Sequence, residues 1–240
     1  MGEAQKQELK SNITVRVAHA DDAKYAEQIA NEMESSAKAR GTGIAKRSSE
    51  YLARKMHEGK AVIAMTEDAT WVGFCYIEAW GHGKFVANSG LIVSPDFRKT
   101  GVATQIKRRI FNLSQERYPG AKIFGLTTGL AVMKMNNELG YIPVTYSELT
   151  DDEEFWQGCK SCVNYDILMS KERKNCLCTA MLFTPKSPEE QAAKVADSVA
   201  PVAQSLAVNP AAAERVPHAA EKPEKHPFKK FLEIFRKPML

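Results

Sequence analysis

A chain of 240 residues, 44% hydrophobic and 26% charged, can bury one good core with length left over. Its formal net charge of +4 comes without a basic block suited to a DNA duplex, so nucleic acid is excluded as the default partner. The polar start MGEAQKQELK lacks the apolar run of a secretory signal, and no stretch approaches membrane-spanning length. Five cysteines without such a signal point to a reducing, cytoplasmic setting.

In chain order, residues 1–11 read as a disordered lead-in. Ile13 to Val17 alternates as a strand, and His19 to Asp22 follows as a turn and helix cap. Ala23 to about Lys38 reads as a helix, broken by Arg40-Gly41-Thr42-Gly43, and Ser48 to His57 as a second one ended by Gly59. Ala61 to Met65 and Trp71 to Ile77 are neighbouring strands, and a polar turn over 81–84 leads to the strand Phe85 to Val93. Pro95 stops that strand, because proline has no N–H for a ladder. The basic loop Arg98-Lys99-Thr100-Gly101 then opens a helix from Val102 to Arg117. Further along, Ile123 to Leu126 reads as a strand, Leu130 to Leu139 as a short helix and Ile142 to Val144 as a strand. An acidic segment with Phe155 and Trp156 follows, and Tyr165–Met169 with Cys176–Phe183 read as a closing pair of strands.

The loop after Val93 carries the clearest chemistry. A turn running straight into a helix N-terminus presents unpaired N–H groups backed by the positive end of the helix dipole, which suits phosphate or pyrophosphate. The loop contains neither G-x-G-x-x-G nor G-x-x-x-x-G-K-[ST]. With Val93, Pro95, Arg98, Gly101 and Ala103 at every required spacing, it resembles the V-x-P-x-x-R/Q-x-x-G-x-G/A signature of the Gcn5-related N-acetyltransferase (GNAT) superfamily. The resemblance covers about residues 12–183 and implies an α/β fold, a mixed but mostly antiparallel sheet flanked by helices. It implies acetyl-CoA as cofactor, held by the backbone of Ile92 and Val93 along the pantetheine arm and by Arg98, Lys99, Thr100, Gly101, Val102, Ala103 and Thr104 at the pyrophosphate. The tyrosine that often protonates the CoA sulfur in that family aligns with Asn136.

On the acceptor side, no carboxylate lies between Phe85 and Val93, and Glu78 is the nearest candidate base, or else a solvated acid at a strand end. Lys38, Arg40, Lys46, Arg47 and Arg54 make a cationic rim, either a solvated loop or a selector of acceptors bearing carboxylates through Arg40 and Arg47. The stretch GCKSCVNYDIL…CLCTAML resembles a bacterial subgroup of the family associated with arginine-pathway acylation of glutamate. The expected activity is therefore N-acetylation of a small, anionic, glutamate-like amine. The alternatives are acetylation of a protein recruited by the tail, or a non-catalytic acyl-CoA sensor.

Cys159-x-x-Cys162 and Cys176-x-Cys178, on a hairpin, would suit tetrahedral zinc, or would be buried or redox-active thiols. Cys75 reads as core. Beyond Phe183, residues 184–225 have the composition of a flexible linker, and residues 226–240 contain a short amphipathic helix. There, Phe228, Phe231, Leu232 and Phe235 fall on one stripe, which a protein partner, an anionic membrane surface or a groove on the chain's own domain would cover.

Overall fold

A computed structural model describes residues 13–41 and 46–186, so the expectations for residues 1–11 and for the tail beyond 186 lie outside the described residues. Seven strands form one sheet: β1 (Ile13–Val17), β2 (Ala61–Thr66), β3 (Trp71–Trp80), β4 (Phe85–Val93), β5 (Lys122–Thr127), β6 (Ile142–Val144) and β7 (Thr179–Phe183). Their order is β1-β2-β3-β4-β5-β7-β6, with every pairing antiparallel except β4–β5. The helices are α1 (Ala26–Arg40), α2 (Ser49–His57), α3 (Val102–Arg117), α4 (Leu130–Glu138), α5 (Glu153–Gln157) and α6 (Tyr165–Ser170). Among the described residues no helix is long and apolar enough to cross a membrane.

Alternation along β3 assigns the two faces. Cys75 and Ile77 join Ile106 and Ile110 of α3 in one core, and Phe74 and Tyr76 join Ile29 of α1 and Leu52 of α2 in the other. All of these are at most 2% exposed, and each large apolar side chain so buried contributes roughly 1.5–3 kcal/mol. A third cluster, built on Trp80, Phe124, Phe155 and Trp156, ties the segment after β6 to the end of the sheet. Trp156 Nε1 donates to the Thr150 carbonyl at 3.0 Å, so its polar end is satisfied inside that cluster.

Local chemistry explains the boundaries. Ser48 caps α2 by accepting the Tyr51 N–H at 3.2 Å. The first helix begins at Ala26 instead of Ala23, because Ala20–Tyr25 winds as a 3-10 turn. Asp22 on that turn accepts the His19 N–H at 2.7 Å and both guanidinium nitrogens of Arg16 at 2.6 and 2.9 Å.

The closing pair of strands is corrected. Tyr165–Ser170 is the helix α6, with Leu168 turned into the third cluster, and the last strand starts only at Thr179. β7 lies between β5 and β6 instead of pairing with residues 165–169.

Candidate active site

Two features of β4 shape the site. Its ladder with β5 covers only Phe85–Ala87 opposite Lys122–Phe124, so from Asn88 and Gly125 onward the two strands part. On the β3 side the register shifts between Phe74 and Tyr76, opposite Ile92 and Ser89, which makes a bulge at Gly90 and Leu91. Gly90 has φ 65°, and a Cβ there would stand 2.7 Å from the Met33 methyl and closer still to the Tyr76 ring.

The phosphate loop sits where the sequence places it. Gly101 caps α3 with φ 89°, and an added Cβ would meet nothing within 4 Å. No hydrogen bond within the described residues takes up the N–H groups of residues 99–103. Their arrangement at the start of a 16-residue helix is that of an anion cradle.

The side chains of the loop do different work. Arg98 turns away from the cradle: its Nε donates to the Val93 carbonyl at 3.1 Å, and its Nη2 reaches Glu32 and Ser36 of α1, each at 2.7 Å. Thr100 closes the turn by donating to the Phe97 carbonyl at 2.7 Å. Ile92 and Val93 are buried at the β3-paired end of β4, and Val102, also buried, begins α3. Exposed Lys99, at φ 65°, supplies the loop's outward charge, while Ala103 and Thr104 complete the first helical turn.

These features fit an acyl-CoA. The amides of 99–103 would hold the pyrophosphate, and the parted edges of β4 and β5 would take the ribbon-like pantetheine arm with its own amides. At the closed end, Asn136 of α4 is 1% exposed and its Oδ1 has no partner. An orphaned acceptor beside Gly125, where a Cβ would come 3.7 Å from Asn136 Nδ2, is what a polar guest entering that gap would satisfy.

On the opposite face of the sheet, Glu78 is 8% exposed. β3 runs on to Trp80, so Glu78 is an interior strand residue opposite Ala87, not a solvated acid at a strand end. Its carboxylate accepts from the Tyr51 hydroxyl, from Ser89 Oγ at 2.9 Å and from Arg47 Nη2 at 3.4 Å. Arg47 Nε donates to the Tyr76 hydroxyl at 3.0 Å. The Tyr51 ring carries Arg54 and Lys55 at 5.1 Å and Arg47 at 5.5 Å.

The electrostatics follow from burial and from Glu78. Burial, reinforced by Glu78, pushes the Tyr51 hydroxyl well up, so it remains a donor. Burial pulls Lys55 down from its ordinary value, and Glu78 restores part of the loss. Burial would lower Arg47 as well, but Tyr76, Glu78 and Tyr51 outweigh it and the guanidinium ends above its ordinary value.

Of the two arginines expected to select the acceptor, Arg47 is thus in the site, on Glu78. Arg40 is exposed at the end of α1. His57 ends α2, and His82 sits exposed in the β3–β4 turn. Sequence reasoning missed Tyr51, Tyr76 and Ser89 as site residues; a serine inside an otherwise buried strand was the available signal.

The zinc expectation is not met. Among the described residues no group of three or more His, Cys, Asp or Glu side chains stands where it could hold a metal ion. Residues 165–170 form a helix and not a strand of a hairpin; the two cysteine pairs still lie near enough for Cys162 and Cys176 both to act on Cys159, but they make no such group. Instead, Cys162 Sγ accepts the Asn164 N–H at 3.4 Å and Cys176 Sγ faces the Asn164 carbonyl at 3.8 Å. Burial and neighbouring thiols push Cys159 up to about 11 and Cys178 up to about 12, and all five cysteines are free. Cys75 is fully buried core, as expected.

The comparisons agree with this fold. The model of the acetyltransferase (GNAT) family matches residues 27–139. The fold is similar to N-acetylglutamate synthase from Neisseria gonorrhoeae, solved with coenzyme A and N-acetyl-glutamate, at 15% identity and a TM-score of 0.52, over 73% of this chain and 35% of that one. It is similar to a Mycobacterium tuberculosis protein solved with CoA, at 16% identity and a TM-score of 0.51, over 72% of this chain and 99% of that one. It is also similar to a Salmonella typhimurium protein solved with its cofactor acetyl-CoA, at 13% identity and a TM-score of 0.50, over 73% of this chain and 95% of that one. The chain spans about a third of the length of the Neisseria gonorrhoeae enzyme. No curated protein matches the sequence.

Proposed function

The chain belongs to the GNAT acetyltransferase family, and we propose that it transfers the acetyl group of acetyl-CoA to the amine of a small acceptor bearing a carboxylate, such as a glutamate-like amino acid. The observation that carries this reading is the place of Glu78. It is a buried carboxylate opposite Ala87, the β4 residue at which pairing with β5 ends, on the face away from α3.

Acetyl transfer needs the amine neutral, and a carboxylate beside the reaction point can draw in an ammonium and take its proton, directly or through one water. Tyr51, Ser89 and Arg47 orient Glu78 for that task. Arg47, Arg54 and Lys55 surround the Tyr51 ring, against Glu78 at its hydroxyl and Glu58, which acts on Arg54 and Lys55 from the end of α2. This excess of positive charge favours an acceptor carrying carboxylates and disfavours polyamines and lysine-rich peptides. Bound acetyl-CoA supplies the activated acyl group; the protein orients the two partners and handles the proton.

Turnover across a panel of amines, read as free thiol released from acetyl-CoA, tests the proposal. Carboxylate-bearing amines should react fastest, and Arg54→Ala should raise their KM while leaving acetyl-CoA affinity unchanged. Faster turnover of cationic amines or of a peptide panel would overturn the acceptor assignment. Binding of acetyl-CoA with no turnover of any amine would favour the sensor reading.

A further inference from the structure

Lys107 is the buried charge that this account leaves unused. It lies on α3 and is 2% exposed, at a helix position where an aliphatic residue would ordinarily pack. Its Nζ stands 5.1 Å from the centroid of the Tyr141 ring, and Cys75 of β3 interacts with it from the sheet. Tyr141 donates to Asn88 Oδ1 at 3.1 Å, and Asn88 Nδ2 donates to Ser114 Oγ at 2.7 Å. Asn88 is the first β4 residue beyond the β4–β5 ladder, and the Tyr141 N–H donates to the Asn136 carbonyl at 3.0 Å. Lys107, Tyr141, Asn88 and the orphaned Asn136 Oδ1 therefore form a buried polar group around the point where β4 and β5 part.

An apolar core has no use for such a group. Charges are almost never buried without a partner, and exchanging this lysine for an aliphatic side chain would spare the desolvation cost. A ribbon-like arm entering from the phosphate cradle at the far end of β4 runs towards this closed end, and the acyl-CoA arm ends in sulfur. Asn136 is uncharged, which leaves Lys107, linked to that end through the Tyr141 ring and Asn88, as the buried cation on the α3 side. Burial draws the Lys107 amine down to about 8, with the Cys75 thiol opposing the shift. Cys75 itself is held up at about 11 by burial, and burial keeps Tyr141 protonated, so neither supplies the negative charge at neutral pH.

We propose that Lys107 is a thiolate-binding group, placed through the core so that its ammonium balances the charge of the CoA sulfur once the acyl group has left. The inference rests on the acetyl-CoA reading and adds to it a residue for the leaving group. Neither the phosphate loop nor Glu78 requires it.

Two binding measurements on the full chain, neither using turnover, test it. In the first, CoA bound to the protein is titrated with pH and its thiolate followed by ultraviolet absorbance. The bound thiol should ionise about one pH unit or more below free CoA, a tenfold or greater preference for thiolate. In the second, calorimetry compares CoA with desulfo-CoA, which lacks the sulfur. CoA should bind about fivefold tighter at a pH near the free thiol's own value, and Lys107→Met should remove both effects while leaving desulfo-CoA binding intact. A folded Lys107→Met protein with unchanged thiol ionisation and an unchanged CoA preference would overturn the inference. Should that variant not fold, the wild-type titration decides alone: a bound thiol ionising at or above its free value overturns it. Failure of the wild type to bind either compound would instead remove the acetyl-CoA reading, and this inference with it.

Discussion

Glu78 and Ala87 face each other across the β3–β4 ladder, and Ala87 is also the last β4 residue paired to β5, opposite Phe124. One ladder step therefore couples the carboxylate on the acceptor face to the point where the cofactor cleft closes. Glu78→Gln keeps the shape and most hydrogen bonds while removing the proposed base. It should lower kcat by about 100-fold or more, within the range general-base removal usually costs. Acetyl-CoA affinity, read by calorimetry, should stay within error. A loss of affinity equal to the loss of rate would mean that Glu78 serves cofactor binding instead.

The two left-handed glycines of the site should respond to alanine to different degrees. Gly101→Ala meets open space, so only the backbone penalty of about 1–2 kcal/mol applies and acetyl-CoA binding survives. Gly101→Asp adds a negative charge to the cradle and should abolish binding in a folded protein. Gly90→Ala drives a methyl against Tyr76 and Met33 as well as paying the backbone term, about 2–4 kcal/mol together. Thermal melts and calorimetry separate the three, and unaltered cofactor affinity in Gly101→Asp would displace the site from this loop.

Asp22 should make stability pH-dependent in acid. Burial pushes its carboxyl up, but Arg16 and the His19 N–H more than offset this, and its value lies below the ordinary carboxylate range. The stabilisation is therefore complete above the unfolded-state value of about 3.9 and is lost as pH falls through the lower, folded-state value. Asp22→Asn should cost about 1.5–3 kcal/mol at neutral pH, and the gap between variant and wild type should narrow below about pH 4. Urea melts at neutral and acidic pH check this; a gap that stays constant into acid would contradict it.

Where the sequence was punctuated, the structure was legible in it. Pro95 and Gly101 bracket the loop, and the strand Phe85–Val93 and helix Val102–Arg117 came out with their observed ends. Residues 165–169 were misread because Tyr165, Ile167 and Met169 alternate, whereas Tyr165 and Leu168, three apart, are the ones that pack on the third cluster; a window that short fits either period, and tertiary packing decided it. Glu78 could be named but not understood from sequence, since what turns a strand acid into a buried one is contact with Tyr51 and Arg47, both more than 25 positions away. Lys107 lay hidden for the same reason: a charged residue in a helix reads as solvent-facing until its neighbours are known.

The last prediction concerns residues beyond 186. β7 is an interior strand between β5 and β6, and Phe183 at its end packs edge-on against Phe111 of α3 at 4.9 Å and against Tyr141 at 6.1 Å. Among the described residues, every strand of the sheet and all three apolar clusters are complete by this residue. A chain ending at residue 186 should therefore melt cooperatively, within a few degrees of the full protein, and should keep its acetyl-CoA affinity and amine turnover. The stripe Phe228, Phe231, Leu232 and Phe235, flanked by Lys229, Lys230, Arg236 and Lys237, has the pattern of a surface-binding amphipathic segment. Its loss should then appear only as reduced sedimentation with anionic vesicles. If the shortened chain loses turnover or its melting transition, residues beyond 186 belong to the catalytic domain and the boundary drawn from composition is wrong.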